Sequence, residues 1–358
     1  MGALLRWKLD APAVTPERGA ALGAEAWRRL RRNRVAWWSL MFLALVGLTS
    51  LLAPLLPLPS PAALELSAEP TPPAGPWTSI GNHGFQREYW PLSSVDERLV
   101  DARVALFGDW QTGPWLGTDS KGRDLLSRIV WGSRTSIAVA LLAMLTSLVI
   151  GVTWGAFAGF VGGRTDRVMM RIVDVLYSLP FIFIVIFLIT ILQGWKDLLE
   201  TRLGLNREAV FYLSIGAVYW LTMARVVRGQ VLSLRHAEFV DAARQMGAST
   251  ARILFVHIVP NVFGIIIVYL TLSIPSVMLF ESFLTFLGLG IEAPRVSWGL
   301  LAVDGADTIH PLGIDWWLLV WPAVAMGTTL LALNILGDGL RDALDPKSAL
   351  AAKGAAQT

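Results

Sequence analysis

Six apolar runs in this chain are each long enough to cross a lipid bilayer as a helix. The hydrocarbon core of a bilayer requires about 20 consecutive, mostly apolar residues. Lipid offers no partner for a backbone amide, and a run such as Phe181–Leu192 lacks the alternating polarity of barrel strands, so helices are predicted. The predicted spans are Val35–Leu56, Ser136–Phe160, Ile172–Leu192, Ala209–Met223, Asn261–Phe283 and Trp316–Leu336.

Composition agrees with a membrane protein and argues against several other classes. Of the 358 residues 16% are charged, and the mean hydropathy is +0.55, whereas soluble chains carry about 25% charged residues. The lack of cysteine excludes disulfides and thiolate metal sites. None of the four His has a catalytic partner in the sequence, and a net charge of +3 does not indicate nucleic-acid binding. We therefore expect no catalytic residue and no metal site.

The distribution of basic residues predicts the orientation. If the N-terminus is inside, the segments 1–34, 161–171, 224–260 and 337–358 are inside and carry 19 of the 30 Lys and Arg residues. By the positive-inside rule, both termini are expected in the cytoplasm. The first apolar run follows a cluster of arginines but is longer than the apolar part of a signal peptide, which predicts an uncleaved signal anchor.

The predicted organisation is therefore an all-α protein with one N-terminal membrane helix and a five-helix core. A Pro-rich outer loop, expected to begin as a stiff linker, separates the two parts. The predicted segments are an inner N-terminal segment 1–34, the first span 35–56, an outer loop 57–135 with an interfacial helix, the core 136–337 with an inner loop 234–260, and a tail 338–358.

Four glycines in and after the second span recur at every fourth residue. They are Gly151, Gly155, Gly159 and Gly163. Small residues at this spacing allow two helices to approach closely in lipid, where packing drives association. The stripe predicts either a helix contact inside one subunit or a contact that lines a moving interface.

The inner loop between the fourth and fifth spans has the pattern of a short amphipathic helix. One predicted face carries small and apolar residues, and the other is mostly charged. The first face contains Phe239, Ala242, Ala243 and Met246, and the second contains Glu238, Asp241, Arg244 and Gln245. Gly247 is a predicted helix C-cap, and Ser249 is expected to cap a second short helix that ends before Pro260.

Two interpretations of this loop remain open from its residues. The helix either rests on the membrane surface or docks into a groove of another protein. Ala242 and Ala243 make a poor lipid anchor, whereas small residues beside Phe239 and Met246 suit a protein groove.

The run Glu238–Gly247, followed by Ile258-Val259-Pro260-Asn261, resembles the "EAA" loop of ABC importer permeases. The pattern of that family is Glu-Ala-Ala, three residues, Gly, and an apolar-rich segment ending in Leu-Pro. In this chain Asp241 replaces the glutamate, Val259 replaces the leucine, and His257 stands where an apolar residue is usual.

Further runs between about residues 116 and 347 strengthen the resemblance to the peptide and nickel branch of this family. The likeness is greatest to the second permease subunit of oligopeptide importers, especially at Met223–Gln230. The other matching runs are Gly117-Thr118-Asp119, Gly122-Arg123-Asp124, Ser127-Arg128, Gly132–Ser136, Phe280–Leu284, Phe286–Gly290, Ser297-Trp298-Gly299 and Gly337–Pro346.

This resemblance implies a permease subunit of the bacterial inner membrane that imports oligopeptides. The implied partners are a homologous permease, two ATPase subunits that bind ATP and Mg²⁺, and an extracytoplasmic peptide-binding protein. The implied contact with an ATPase is the loop helix, comprising Glu238, Phe239, Asp241, Ala242, Ala243, Arg244, Met246 and Gly247. Dipeptide, murein-peptide and nickel importers share these signatures, so the cargo stays open.

Several polar residues near the spans admit a functional and a structural interpretation. Glu281, near the outer end of the fifth span, either lines the translocation path or packs against a neighbouring hydroxyl. Arg225 and Arg228 are expected to extend toward the inner interface. Asp119 is a predicted N-cap for an amphipathic helix at the outer interface, with Leu125 and Ile129 on its apolar face.

The chain is not expected to hydrolyse ATP itself. It contains no Gly-x-x-x-x-Gly-Lys-Ser/Thr phosphate loop and no Gly-Lys pair. An ATP-independent secondary transporter is the alternative from another class, but it predicts ionisable residues at the centres of the spans, which are apolar here. We expect neither an enzyme nor a cofactor in this chain.

Overall fold

The computed structural model describes residues 19–63, 70–74, 79–80, 90, 92–108, 110–204, 207–310 and 313–344. Within these ranges five helices are long and apolar enough to cross a membrane, and one bent helix pair is a candidate sixth span. The predicted all-α membrane architecture is confirmed. Most of the predicted N-terminal segment and tail lies outside the described residues.

Among the described residues the chain forms fourteen α-helices. They are α1 (Gly19–Arg32), α2 (Arg34–Leu51), α3 (Ser94–Phe107), α4 (Leu125–Thr146), α5 (Val152–Val161), α6 (Gly163–Ser178), α7 (Phe181–Gly194), α8 (Lys196–Leu203), α9 (Arg207–Leu234), α10 (Glu238–Gln245), α11 (Thr250–Arg252), α12 (Val259–Phe286), α13 (Trp298–Ala306) and α14 (Trp316–Leu344). A 3₁₀ turn, Ala53–Leu55, ends the first span.

Two antiparallel pairs of very short strands accompany the helices. β1 (Ser79–Ile80) pairs with β2 (Gln111–Thr112), with Ser79 opposite Thr112. β3 (Ile309–His310) and β4 (Gly313–Ile314) form a second pair between α13 and α14.

The second span begins well before its predicted start. The helix runs without interruption from Leu125 to Val161, because a π-type turn at Ser147–Gly151 joins α4 to α5. The residues predicted as a separate interfacial helix are therefore the first turns of the spanning helix. Its N-cap is Asp124, whose carboxylate accepts a hydrogen bond from the Ser127 N–H at 2.6 Å, so the prediction that Asp119 caps it is wrong.

The third predicted span is not a straight helix. α6 and α7 meet at an angle of 94° around Leu179 and Pro180. Proline has no amide hydrogen and disfavours the helical conformation of the preceding residue. Residues 172–178 consequently belong to the amphipathic α6, and the apolar α7 begins only at Phe181.

The helix after the inner loop also differs from its prediction. α11 continues through a π-type turn at Ile253–Ile258 into α12, which gives one helix from Thr250 to Phe286. The expectation that a second short helix ends before Pro260 is wrong, since the helix continues through Pro260, which lies just after the π-type turn. The loop helix α10 is thus connected to a spanning helix by only a few residues.

The main apolar core lies among α4, α9, α12, α13 and α14. Val139, Ile215 and Val277 are completely buried there. A second cluster joins α5, α9, α10 and the start of the α12 helix. A third, smaller cluster joins α1, α2 and α14.

Candidate functional site

The loop helix α10 has sequence-encoded start and stop signals. Glu238 and Asp241 lie in its first turn, where negative charge is favoured by the helix dipole. At its end, Gly247 adopts a φ of +78°, and its N–H bonds to the carbonyl of Arg244 at 2.9 Å. The N–H of Ala248 bonds to the carbonyl of Ala243 at 3.0 Å, which completes a Schellman motif.

One face of α10 is packed against the rest of the protein. Val240 and Ala243 are 0% and 2% exposed, and they lie in the same apolar cluster as Ile253 and Leu254. Because a helix of eight residues is not stable alone in water, this packing holds α10 in place. Burying each large apolar side chain contributes about 1.5–3 kcal/mol.

The opposite face of α10 is exposed and partly apolar. Met246 is 82% exposed and Phe239 is 39% exposed, and Ala242 is exposed between them. The prediction that Ala243 shares this face is wrong. Residues three or four positions apart lie on the same face of a helix. Ala243 therefore lies on the buried face with Val240, whereas Ala242 lies on the exposed face with Phe239 and Met246.

Arg244 connects α10 to the last turn of α5. Its guanidinium lies 5.1 Å from the centre of the Phe160 ring, in a cation–π arrangement, and bonds to Asp241 at 3.1 Å. Phe160 itself packs on the cluster that buries Val240. The helix α10 is therefore in contact with both α5 and the start of the α12 helix.

Three of the four predicted glycines, in α5 and in the π-type turn before it, form a close contact with α9. A Cβ at Gly155 would overlap the carbonyl oxygen of Ala224, and one at Gly159 would lie 2.9 Å from the carbonyl oxygen of Arg228. A Cβ at Gly151 would lie 2.7 Å from the Met223 Cβ. These helices approach each other backbone to backbone.

The inclusion of Gly163 in this stripe is wrong. The helix ends at Val161, and Gly162 and Gly163 have φ values of +68° and +61°, so the chain turns before the fourth step of the repeat. Nothing lies within 4 Å of a Cβ built at Gly163.

Arg228 and Arg225 are paired with acidic residues of α6. Arg228 donates two hydrogen bonds to Asp166, at 2.5 and 2.7 Å, and Arg225 donates one to Asp174 at 2.9 Å. The Arg225 guanidinium also lies 4.0 Å from the centre of the Tyr177 ring. Both arginines, predicted to extend toward the inner interface, thus bind carboxylates of α6, which lies against α9.

Glu281 does not line a path, because it is completely buried within this chain. Its carboxylate accepts hydrogen bonds from Thr285 at 3.1 Å and from Ser136 and Ser282 at 3.5 Å. Ser136 in turn accepts the N–H of Trp298 at 3.1 Å. Glu281 therefore links α12, α4 and α13, and its assignment to the path is wrong.

Two family descriptions match this chain. "Binding-protein-dependent transport system inner membrane component" matches residues 151–349, and "N-terminal TM domain of oligopeptide transport permease C" matches residues 21–73.

The chain belongs to the inner-membrane component family of binding-protein-dependent transport systems.

Two curated relatives extend over most of the permease. The oligopeptide transport system permease protein OppC of Escherichia coli (strain K12) is 40% identical over 329 residues, which are 92% of each chain. The dipeptide transport system permease protein DppC of Bacillus subtilis (strain 168) is 38% identical over 323 residues, which are 90% of this chain and 85% of that protein. The permease is accordingly a multi-pass subunit of ABC importers in the bacterial inner membrane and not an enzyme.

A solved structure of the methionine ABC transporter MetNI, in an inward-facing conformation, also matches the permease. It has a TM-score of 0.47 and 18% identity, and the match covers 62% of this chain and 98% of that chain.

Sequence reasoning missed an ion-pair network at the other end of the permease. One carboxylate oxygen of Asp119 accepts from the backbone N–H groups of Lys121 and Arg123 at 2.9 and 3.0 Å. The other accepts from the guanidinium groups of Arg123 and Arg128, each at 2.7 Å. Arg128, 1% exposed, also bonds to Asp304 of α13 at 2.7 Å. The signal in the sequence was the Gly-Thr-Asp run, but its partner on α13 is far away in the chain.

An ion pair connects α3 to the first turns of the spanning helix α4. Arg134 donates to Asp96 at 2.8 Å. Burial of Asp96 acts to raise the pKa of its carboxyl, but Arg134 and Ser93 more than compensate and hold this pKa below its usual value.

A cleft of about 630 Å³ lies between α9, α12 and α14 of the permease. Hydroxyl groups and apolar side chains line most of it, and Arg341 contributes a charge. The hydroxyl groups belong to Tyr219, Thr222, Tyr269, Ser273 and Ser276. Among the described residues no group of three or more His, Cys, Asp or Glu could hold a metal ion.

Proposed function

We propose that this permease imports oligopeptides as one of two homologous permease subunits, and that α10 is its contact with an ATPase subunit. The observation that carries this proposal is the division of α10 into two faces. Val240 and Ala243 anchor one face in the bundle, while Phe239, Ala242 and Met246 present an apolar face to a partner.

Three exposed residues at positions i, i+3 and i+7 of a helix suit a groove in another protein. The charges of Glu238 and Asp241 flank them and favour a site at the cytoplasmic surface over burial in lipid. The proposed orientation, with both termini and α10 in the cytoplasm, follows from the excess of basic residues on that side.

The anchors of α10 provide a mechanical route to the membrane helices. When two ATPase subunits close on ATP and Mg²⁺, a groove that holds α10 moves it. Val240 and Ala243 then displace the α12 helix through Ile253 and Leu254, and Arg244 acts on α5 through Phe160. The ATPases drive transport only if their contacts with α10 differ between the inward-open and outward-open states.

The cleft between α9, α12 and α14 is the proposed wall of the translocation path. Its hydroxyl groups can bond to peptide N–H and C=O groups, which every peptide carries, and its apolar surface accepts varied side chains. An extracytoplasmic peptide-binding protein would deliver the cargo, and the homologous permease would supply the opposite wall. Similarity to both oligopeptide and dipeptide permeases supports peptide cargo.

The variant Met246→Asp tests the proposed contact in proteoliposomes. We expect it to remain in the membrane but to lose most co-purifying ATPase and most ATP-dependent uptake of labelled peptides. The matched control is Leu106→Asp on α3, which also places a charge on an exposed apolar position. Wild-type ATPase recovery and uptake in Met246→Asp would refute the role of α10. Uptake of dipeptides but not of longer peptides by the wild-type complex would refute the oligopeptide cargo.

A further inference from the structure

The arginine-rich N-terminal helix is held at a fixed place on the bundle. Asn33 separates α1 from α2 and is the N-cap of α2. Its side chain accepts a hydrogen bond from the N–H of Ala36 at 3.2 Å. Leu30 and Ala36 are buried against α14, where a Cβ at Gly339 would overlap that of Ala36. The basic residues of α1 therefore occupy defined positions beside the start of the first span.

Two tryptophans position one of these arginines. Trp27 of α1 and Trp37 of α2 meet edge to face at 5.7 Å. The Arg31 guanidinium lies 4.9 Å from the centre of the Trp37 ring and 6.0 Å from that of Trp27. The two indole rings hold the guanidinium at the junction of α1 and α2, and the exposed side chain keeps its N–H groups available to a ligand.

Three further arginines on the same segment carry uncompensated charge. Arg28, Arg32 and Arg34 are exposed, and within the described part of the chain none of them forms an ion pair. Arg29 differs, because it pairs with Glu25 on the side of α1 that faces the bundle. The exposed side of this junction is thus strongly cationic.

The same surface exposes large apolar side chains. Trp38 is 71%, Val35 61% and Trp27 49% exposed. Val35 and Trp38 lie in the first turns of a spanning helix, so they mark the level at which the chain enters the bilayer. Tryptophan at this level is typical of the interface between lipid headgroups and acyl chains.

We infer that this arginine patch, formed by Arg28, Arg31, Arg32 and Arg34 with Trp27 and Trp38, binds the phosphate groups of anionic phospholipids. Guanidinium groups bind phosphate oxygens in a bidentate manner, and the indoles contact the adjoining glycerol and acyl groups. A lipid accounts for the cationic and the apolar parts of the patch together, because its charge and its chains meet at this depth. A basic juxtamembrane cluster is also attracted by the negative surface potential of anionic lipids.

Native mass spectrometry of the full-length chain in mild detergent tests this proposal. Phosphatidylglycerol and phosphatidylcholine are added at equal concentrations, and the retained lipids are counted. We expect preferential retention of phosphatidylglycerol by the wild type. In Arg28→Gln/Arg32→Gln/Arg34→Gln its affinity should fall about fivefold for each arginine removed.

The matched control removes three exposed charges at other places, by Arg98→Gln/Lys121→Gln/Arg202→Gln. It should retain phosphatidylglycerol like the wild type. If the triple variant does not purify, the single variant Arg32→Gln, with an expected fivefold loss of affinity, replaces it.

Equal retention of phosphatidylglycerol by the triple variant and its control would overturn the proposal. Equal retention of the two lipids by the wild type would overturn it as well. A triple variant that keeps its lipid but, when co-expressed with the partner subunits, no longer co-purifies with them would identify the patch as a protein contact instead.

Discussion

Arg228 of α9 and Asp166 of α6 form a two-pronged ion pair across a gap of 62 residues in the sequence. The carboxylate is mostly buried, with 12% of its side chain exposed. This pair holds α6 against α9 beside the glycine contact with α5. The helices α5, α6 and α9 are thus held together by an ion pair and by close backbone packing.

The Arg228–Asp166 pair should contribute measurably to stability. Asp166→Asn leaves a partly buried guanidinium without its carboxylate and should lower the free energy of unfolding by about 2 kcal/mol. The control is Asp174→Asn. In the pair that it removes, the side chains of Asp174 and Arg225 are 61% and 37% exposed, so the free energy of unfolding should fall by less than about 1 kcal/mol. Thermal melting in detergent compares the two, and equal losses would contradict this assignment.

The contact between α5 and α9 should not tolerate a methyl group. Gly155→Ala would force the Ala224 carbonyl away and should destabilise the protein by about 1–3 kcal/mol. Gly229→Ala on α9 is the control, since nothing lies within 4 Å of a Cβ there, and it should be neutral or stabilising. Melting temperatures and membrane levels of both variants test this. A Gly155→Ala protein as stable as Gly229→Ala would show that the helices are farther apart.

Gly247 has a positive φ, and nothing lies within 4 Å of a Cβ built there. The effect of a substitution at this position should therefore depend on whether the new residue accepts this backbone conformation, and not on its size. Gly247→Val strains the Schellman motif by about 1–2 kcal/mol and should misplace α10, which would uncouple ATP hydrolysis from peptide uptake. Gly247→Asn should retain most uptake, since Asn accepts this conformation. ATPase activity and peptide uptake are measured for both variants. Gly247→Val should keep ATPase activity while it loses uptake. Equal uptake by the two variants would argue against a conformational requirement.

Glu281 should behave as a structural carboxylate. Glu281→Leu leaves the hydroxyls of Ser136 and Thr285 without their acceptor and should destabilise the protein by about 2 kcal/mol. Glu281→Gln keeps an acceptor and should be closer to the wild type. Neither change should alter the relative uptake of acidic, neutral and basic peptides. A change of this charge preference in Glu281→Gln would restore the path-lining interpretation.

Asp124 should give the protein a pH-dependent stability. Burial raises the pKa of its carboxyl to about 7, against the opposing effect of the hydrogen bond from the Ser127 N–H. Unfolded aspartate titrates near pH 4, so the folded state binds the extra proton between about pH 4 and 7, and the free energy of unfolding falls as pH rises through this window.

Asp124→Asn should remove that dependence, because the amide is neutral and still offers an acceptor to Ser127. Its melting temperature relative to the wild type should rise between about pH 5 and 7 and then level off. A difference in melting temperature between the variant and the wild type that stays constant from about pH 5 to 7 would contradict this prediction, because it would show that Asp124 does not titrate in this range.

Much of the inner loop could be predicted from neighbouring residues alone. Two predicted signals agree with the structure: Gly247 ends α10, just after the C-cap residue Met246, and Ser249 is an N-cap that accepts the Arg252 N–H at 3.4 Å. These features depend on residues within four positions of one another. Neighbouring residues could not predict which face of α10 packs against the bundle, since alanines such as Ala242 and Ala243 are compatible with a buried and with an exposed position.

The sequence by itself determined the number of apolar runs, their helical state and the family resemblance, because hydropathy, periodicity and capping act over short distances along the chain. Only the tertiary structure decided that α6 and α7 meet at 94°, that Ala243 faces inward, and that Glu281 is enclosed by hydroxyls. The partners of Arg228 and Glu281 include Asp166 and Ser136, which are 62 and 145 residues away. Pairing over such distances depends on how helices pack, and a lone charged residue in a sequence is compatible with many packings.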